Sequence, residues 1–224
     1  MHTSSILMAA AIYTSTVTGL ATPQLSKRFS VPGASSEDGF TIPKGVQPGI
    51  YEVFIDDGGV AHHTRLADAD KPMNQPRVDQ VSANDDFSSL DRRQEGTGLR
   101  FITCGDSKEM DRGSTDDAVR DLVNQCGDGR RVQSGHHIYS VRGNVAAFYC
   151  NYVTVLNSTP PFGVWGTPQI CYGDRVWNII VSDISGKCGS FKPGWSEDIY
   201  AKQKNSIGYH EVGGDKSFCG EGHF

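Results

Sequence analysis

The first 103 residues of this 224-residue chain contain no cysteine; all six cysteines lie between Cys104 and Cys219. The chain also lacks a basic excess. With 21 Lys+Arg against 26 Asp+Glu its net charge is −5, so it does not carry the electrostatic footprint of a nucleic-acid binder. Beyond the N-terminus there is no long apolar run, so no membrane span is expected. No C-x-x-C or H-x-x-x-H spacing is present, which argues against a metal centre. No G-x-G-x-x-G or P-loop points to a nucleotide, so no cofactor is expected. No G-x-S-x-G elbow marks a hydrolase nucleophile. The apolar content, 37%, is too high for a disordered chain.

The N-terminus, Met1–Ala21, reads MHTSSILMAAAIYTSTVTGLA. Its apolar run is too short to span a bilayer, and small residues at Gly19 and Ala21 suit cleavage after Ala21. This is an export signal, which makes the chain a secreted, extracellular protein. On an oxidising path, Cys104, Cys126, Cys150, Cys171, Cys188 and Cys219 read as three disulfides rather than a metal cluster. Asn157-Ser158-Thr159 is the single glycosylation sequon.

Two dibasic sites divide what remains. Leu25-Ser26-Lys27-Arg28 and Leu90-Asp91-Arg92-Arg93 share the pattern Leu-x-basic-Arg. Both resemble sites for the kexin-type protease of the fungal secretory pathway, with cuts after Arg28 and Arg93. The organisation expected is a signal (1–21), a pro-segment (22–93) and a mature domain (94–224). Residues 29–93 hold 6 Lys+Arg and 11 Asp+Glu, whereas residues 94–224 hold 13 and 15. The acidity therefore sits in the pro-segment. Within it, Gly49–Ile55 alternates, Asp56-Asp57-Gly58-Gly59 turns and Val60–Leu66 returns, a β-hairpin. An isolated hairpin is marginal in water. It should pack on the cysteine-bearing part, either until cleavage or as a permanent piece of it. Residues 67–98 read as a polar linker.

The cysteine-bearing part has a βα rhythm. Leu99–Cys104 is a strand. Ser114 or Thr115 caps a helix whose stripe is Ala118, Val119, Leu122, Val123 and Cys126, with Asp116 and Asp117 at its positive end. Ile138–Arg142 and Val145–Val155 are strands either side of a Gly143-Asn144 turn. Residues 157–168 form a Pro-rich loop. A second helix spans Asp174–Gly186, with stripe Val176, Trp177, Ile180, Val181 and Ile184. Lys192–Trp195 turns, and Ile207–Val212 is the last strand. The order β–α–β–β–α–β predicts an α+β fold: an antiparallel sheet with two helices on one face, a split βαβ sandwich stapled by disulfides. Six cysteines allow 15 pairings. The helix-end Cys126 and Cys188 should reach strand or loop cysteines, because such layers lie close.

This spacing resembles that of small secreted cysteine-rich fungal proteins, the necrosis-inducing-factor effectors and the killer toxins encoded by viruses of smut fungi. The residues that carry it are Cys104, the helix ending Cys126-Gly127, the strand Val145–Cys150, Cys171 before a helix ending Cys188-Gly189, and a strand before Cys219. The resemblance covers about residues 99–219. It implies a secreted effector or toxin-like protein, not an enzyme. Its partners would be a protein or cell-surface component of a host or competitor cell, with no nucleic acid among them. The chain departs from the pattern in its long pro-region and in Cys150, which lies inside a strand.

An enzymatic alternative is a secreted small hydrolase, ribonuclease-like and silenced by its pro-segment. General acid–base cleavage needs two histidines and a cation; His136, His137 and His210 with Arg142 are the available set. His62 and His63 lie in the pro-segment hairpin. Asp106, Asp116 and Asp117 are carboxylates without a catalytic pattern, the last two explained by capping. Phe162, Trp165, Phe191 and Trp195 lie in Pro/Gly-rich turns and are the candidates for contact with a partner.

Overall fold

The computed structural model describes residues 27–68, 100–106, 108–152, 168–198, 205–213 and 216–220. The Ala21, Arg93, Asn157, Phe162 and Trp165 assignments fall outside these residues, as do the export signal and most of the linker.

Strands β1 (Arg28–Pro32), β3 (Gly49–Ile55), β4 (Val60–Asp68), β5 (Arg100–Cys104), β7 (His136–Arg142), β8 (Val145–Asn151), β10 (Gly194–Asp198) and β11 (Asn205–Glu211) form one sheet. Its order is β1-β4-β3-β7-β8-β11-β10-β5, and every pairing is antiparallel. Two ribbons flank it: β2 (Phe40–Thr41) with β12 (Ser217–Phe218), and β6 (Arg130–Val132) with β9 (Gln169–Cys171). The split βαβ expectation holds: β8 and β10 run parallel with β11 inserted between them, and a helix connects them.

Helix α1 (Arg112–Cys126) begins earlier than the sequence suggests. Its N-cap is Asp111, whose carboxylate accepts from the Ser114 amide at 2.8 Å. Ser114 is therefore the donor to the cap rather than the cap itself. Ala118, Val119, Leu122 and Cys126 are buried as the stripe requires. Gly127, at φ 50°, ends the helix. Helix α2 runs through Gly173–Asn178, a π-helical stretch Ile179–Ile184 and a last turn Ser185–Cys188. In an α-helix, positions four apart drift by about 40° round the axis. The wider π turn offsets that drift and keeps Val176, Ile180 and Ile184 on one buried line, with Ile179 beside them. Trp177 and Val181 are left outside, 48% and 44% exposed, against the expected stripe.

Both helices lie on one sheet face, over a core that includes Leu122, Ile138, Tyr149, Ile180, Ile184 and Ile207. The opposite face carries a second core of Tyr139, Val141, Phe148 and Cys150. It is covered by Ala34, Phe40, Ile42 and Val46, from the stretch the sequence assigns to the pro-segment. The hairpin is found as read, with Asp56 Oδ1 accepting the Gly58 and Val60 amides at 3.0 and 2.9 Å. It lies within the sheet, second and third from the β1 edge, because β3 pairs with β7 over six residue pairs. Residues 27–68 thus supply three of the eight strands and one of the layers. The boundary at Arg93 does not separate two packing units.

The disulfides are Cys104–Cys188, Cys126–Cys171 and Cys150–Cys219. As expected, each helix-end cysteine reaches a strand: Cys188 meets the end of β5, and Cys126 meets β9. The third bridge ties the C-terminal segment to the central strand on the face away from the helices. There the backbones touch: a Cβ on Gly39 would lie 2.1 Å from the Phe218 carbonyl oxygen.

Strand β10 replaces part of the expected Lys192–Trp195 turn. Its Ser196, Glu197 and Asp198 are buried, and Asp198 meets Arg100 and Arg175 at 3.8 and 3.7 Å.

Candidate functional site: a histidine-lined seam

Strand side chains alternate between the two faces, so a His-His doublet places one ring on each. The chain has two such doublets, His62-His63 on β4 and His136-His137 on β7. Both flank β3. Val53 stands opposite His63 on one side and His137 on the other, and Phe54 stands opposite His62 and His136. The four rings therefore line the junction between residues 27–68 and the cysteine-bearing part.

On the face away from the helices the rings are buried. His63 is 1% exposed, stacks on Phe29 at 4.4 Å and is hydrogen-bonded through Nδ1 to the Tyr139 hydroxyl at 2.8 Å. His137 lies against Phe40 and Tyr152. Tyr51 stacks on Tyr139 at 5.1 Å across the same junction. Burial, with the neighbouring His62 adding to it, pushes His63 down to about 4. Burial, helped by His136, pushes His137 down to about 3. Burial also raises the phenols of Tyr51 and Tyr139. Nε2 of His63 and Nδ1 of His137 are buried with no hydrogen-bond partner among the described residues. Sulfurs of Cys150 and Cys219 lie within 4.8 Å of a His137 nitrogen. Joined to each other, they offer a metal no thiolate.

On the other face the rings are half-buried and paired. Phe54 lies between His62 and His136, at 4.9 and 5.4 Å. His136 Nδ1 meets Glu52 Oε1 at 3.0 Å; that bond first, then the charges of His136 and Arg130, hold the Glu52 carboxyl low. His62 Nε2 meets Asp56 Oδ2 at 2.7 Å, and Nδ1 meets Ser30 Oγ at 3.0 Å. Ser30, His62 and Asp56 thus form a hydroxyl–imidazole–carboxylate chain. The His62 bond and the turn amides of Val60 and Gly58 hold Asp56 below its ordinary value.

The other candidates are dispersed. His210 is level with Val141 in the sheet, five residues from His136 along the strands and two strands across, roughly 20 Å away. Arg142 is engaged by Asp121 of α1 at 2.6 Å. Asp106 pairs with Lys216, and Asp117 with Arg120. Asp116 stands on α1 beyond the cap. Trp195 packs against the second core and donates through Nε1 to Glu197 at 2.7 Å. Phe191 lies under the Arg112 guanidinium, 5.3 Å from it, at φ 61°. Among the described residues, the large apolar side chains most open to solvent are Phe54, Phe101, Trp177 and Val181. Arg28 opens the edge strand β1, where a chain is extended and exposed, and the preceding Lys27 carbonyl accepts from the Arg65 amide at 2.7 Å. No helix among the described residues is long and apolar enough to cross a membrane.

The chain matches no family model, no curated protein and no solved structure.

Proposed function

We propose that the chain is a secreted effector or toxin-like protein, non-enzymatic, acting on a protein or surface component of a host or competitor cell. It is made as a precursor and cut by a kexin-type protease after Arg28 and Arg93. One observation carries this reading: two Leu-x-basic-Arg sites lie in a cysteine-free half, joined to a half whose six cysteines are all paired. Paired cysteines are consistent with an extracellular protein. The structure refines what the cut would yield. Residues 29–68 share no disulfide with the rest, yet lie within its sheet, so the processed protein is a non-covalent two-chain species.

The test is intact mass of the secreted material in denaturant without reductant. Chains starting at Phe29 and Gln94 are expected, recovered together from a native column. A single chain running on from residue 22 would overturn the precursor. Arg92→Ala/Arg93→Ala should remain one chain and lose its effect on target cells. Full potency in that variant would remove any role for the cut.

The Ser30–His62–Asp56 chain favours a second reading, a small serine hydrolase. His62, held by Asp56 and pinned against Phe54, would take the Ser30 proton as Oγ attacks an ester carbonyl. A fluorophosphonate probe should then label wild type at Ser30 and spare Ser30→Ala. Failure to label the wild type would end this reading. The ribonuclease-like version, built on His136 and His210, has its two histidines at opposite ends of the sheet.

A further inference from the structure

We propose that the face and edge covered by residues 27–68 are a binding surface for that segment as a separate chain, held at neutral pH and released in mild acid. The proposal rests on the two-chain reading above. The surface comprises the edge of β7, the rings of Tyr139 and His137, and the Phe218 ribbon. Its occupant is a strand-and-ring segment of matching shape: β3 adds to the β7 edge, Tyr51 stacks on Tyr139, and Phe40 lies against His137 and Phe218. No disulfide crosses the junction, since the first 103 residues contain no cysteine.

The acid response follows from where the histidines sit. His63 is closed in by Phe29, Phe40 and Tyr139, and His137 by Phe40, Tyr152 and the Cys150–Cys219 bridge. The titratable groups around them are the phenols of Tyr51 and Tyr139, both kept protonated, and the adjoining His62 and His136. The ionised carboxylates, Glu52 and Asp56, pair with His136 and His62 on the opposite face, and Arg65 and Asp68 lie towards Tyr51. Among the described residues the charges felt at the buried rings are therefore like charges, and a proton on either ring gains no counter-ion from them.

Both rings stay neutral in the joined state well below the ordinary histidine value of 6.5, His63 to about 4 and His137 to about 3. Parted, they titrate near 6.5. The joined state consequently binds fewer protons, and its advantage, complete above about pH 6.5, is lost as the pH falls. Each ring contributes roughly tenfold per pH unit within that window, so two rings weaken the junction about 100-fold between pH 7.5 and 5.5.

The experiment is independent of the natural cut. A protease site is engineered between residues 69 and 98 of the full chain, and the folded protein is nicked at pH 7.5. The two pieces should co-elute at pH 7.5, and the N-terminal piece should elute alone at pH 5.5. His63→Gln with His137→Gln should keep them together at both. Co-elution of the wild type down to pH 4.5, or equal release from the double variant, would overturn the proposal. Should that variant fold poorly, hydrogen exchange on the intact wild type decides. Corrected for intrinsic rates, β3 and β7 amides should lose about 100-fold of their protection between pH 7.5 and 5.5, relative to the β8–β11 pairing. Unchanged relative protection would sink it. Natural cleavage is read separately, from the mass of the secreted protein.

Discussion

Expressed without residues 22–93, residues 94–224 should give little correctly paired monomer. The missing stretch supplies Phe40, Ile42, Tyr51 and Val53, all 2% exposed or less in the folded chain. Burying each such side chain stabilises by roughly 1.5–3 kcal/mol, on the order of 10 kcal/mol together. That is comparable with the whole net stability of an ordinary domain, about 5–15 kcal/mol. Losing the stretch also frees the β7 edge, a template for aggregation. Size-exclusion chromatography and non-reducing peptide mapping would report monomer yield and the three bridges. Supplying residues 22–93 as a separate chain during oxidation should restore both. A monomer with native pairing, formed as efficiently without the N-terminal stretch, would show that the first 93 residues are dispensable for folding.

Reduction should be nearly as damaging. The bridges span 84, 45 and 69 residues of sequence. Loops of that length correspond to about 4 kcal/mol of chain-entropy stabilisation each, with measured bridges commonly at 2–4 kcal/mol. Together they amount to roughly 6–12 kcal/mol, again as large as the net stability. The denaturation midpoint in reducing buffer should fall steeply, and Cys150→Ser/Cys219→Ser alone should release the C-terminal segment from its contact with β2. Equal midpoints in oxidising and reducing buffer would contradict the structural role assigned to the bridges.

What could be read from the sequence were the elements whose local pattern agrees with their place in the fold. The stripe of α1, the unbroken apolar run of β8 and the Asp-Gly-Gly hairpin turn are of this kind. Strand β10 was hidden because its buried residues include Ser196, Glu197 and Asp198, and the arginines that accommodate Asp198 come from β5 and α2. In α2 the strict 3.6-residue period misplaced Trp177 and Val181, because a π turn has no signal in periodicity. Strands β1, β2 and β12 are short and exist only through their partners. The candidate site was less legible still. His63 meets Tyr139 across 76 residues of sequence, and His136 meets Glu52 across 84. Two His-His doublets in strand-like stretches were the available hint. Alternation says that one ring of each must turn inward, but only the β4-β3-β7 register shows them gathered on one junction.

The one-sided placement of the bridges also gives the molecule a mechanical polarity. Under tension applied through its two ends, the stretch from Cys104 to Cys188 cannot lengthen, because a covalent link short-circuits its 84 residues. In the chain not yet cut after Arg93, residues 29–103 have no such limit and can pay out about 250 Å. Strand β1 stands at the sheet edge, so it detaches first, hydrogen bond by hydrogen bond, followed by the hairpin behind it. A force or a narrow passage would peel this protein from its N-terminal side and leave a cross-linked remainder whose Cys104–Cys188 stretch pulling cannot extend.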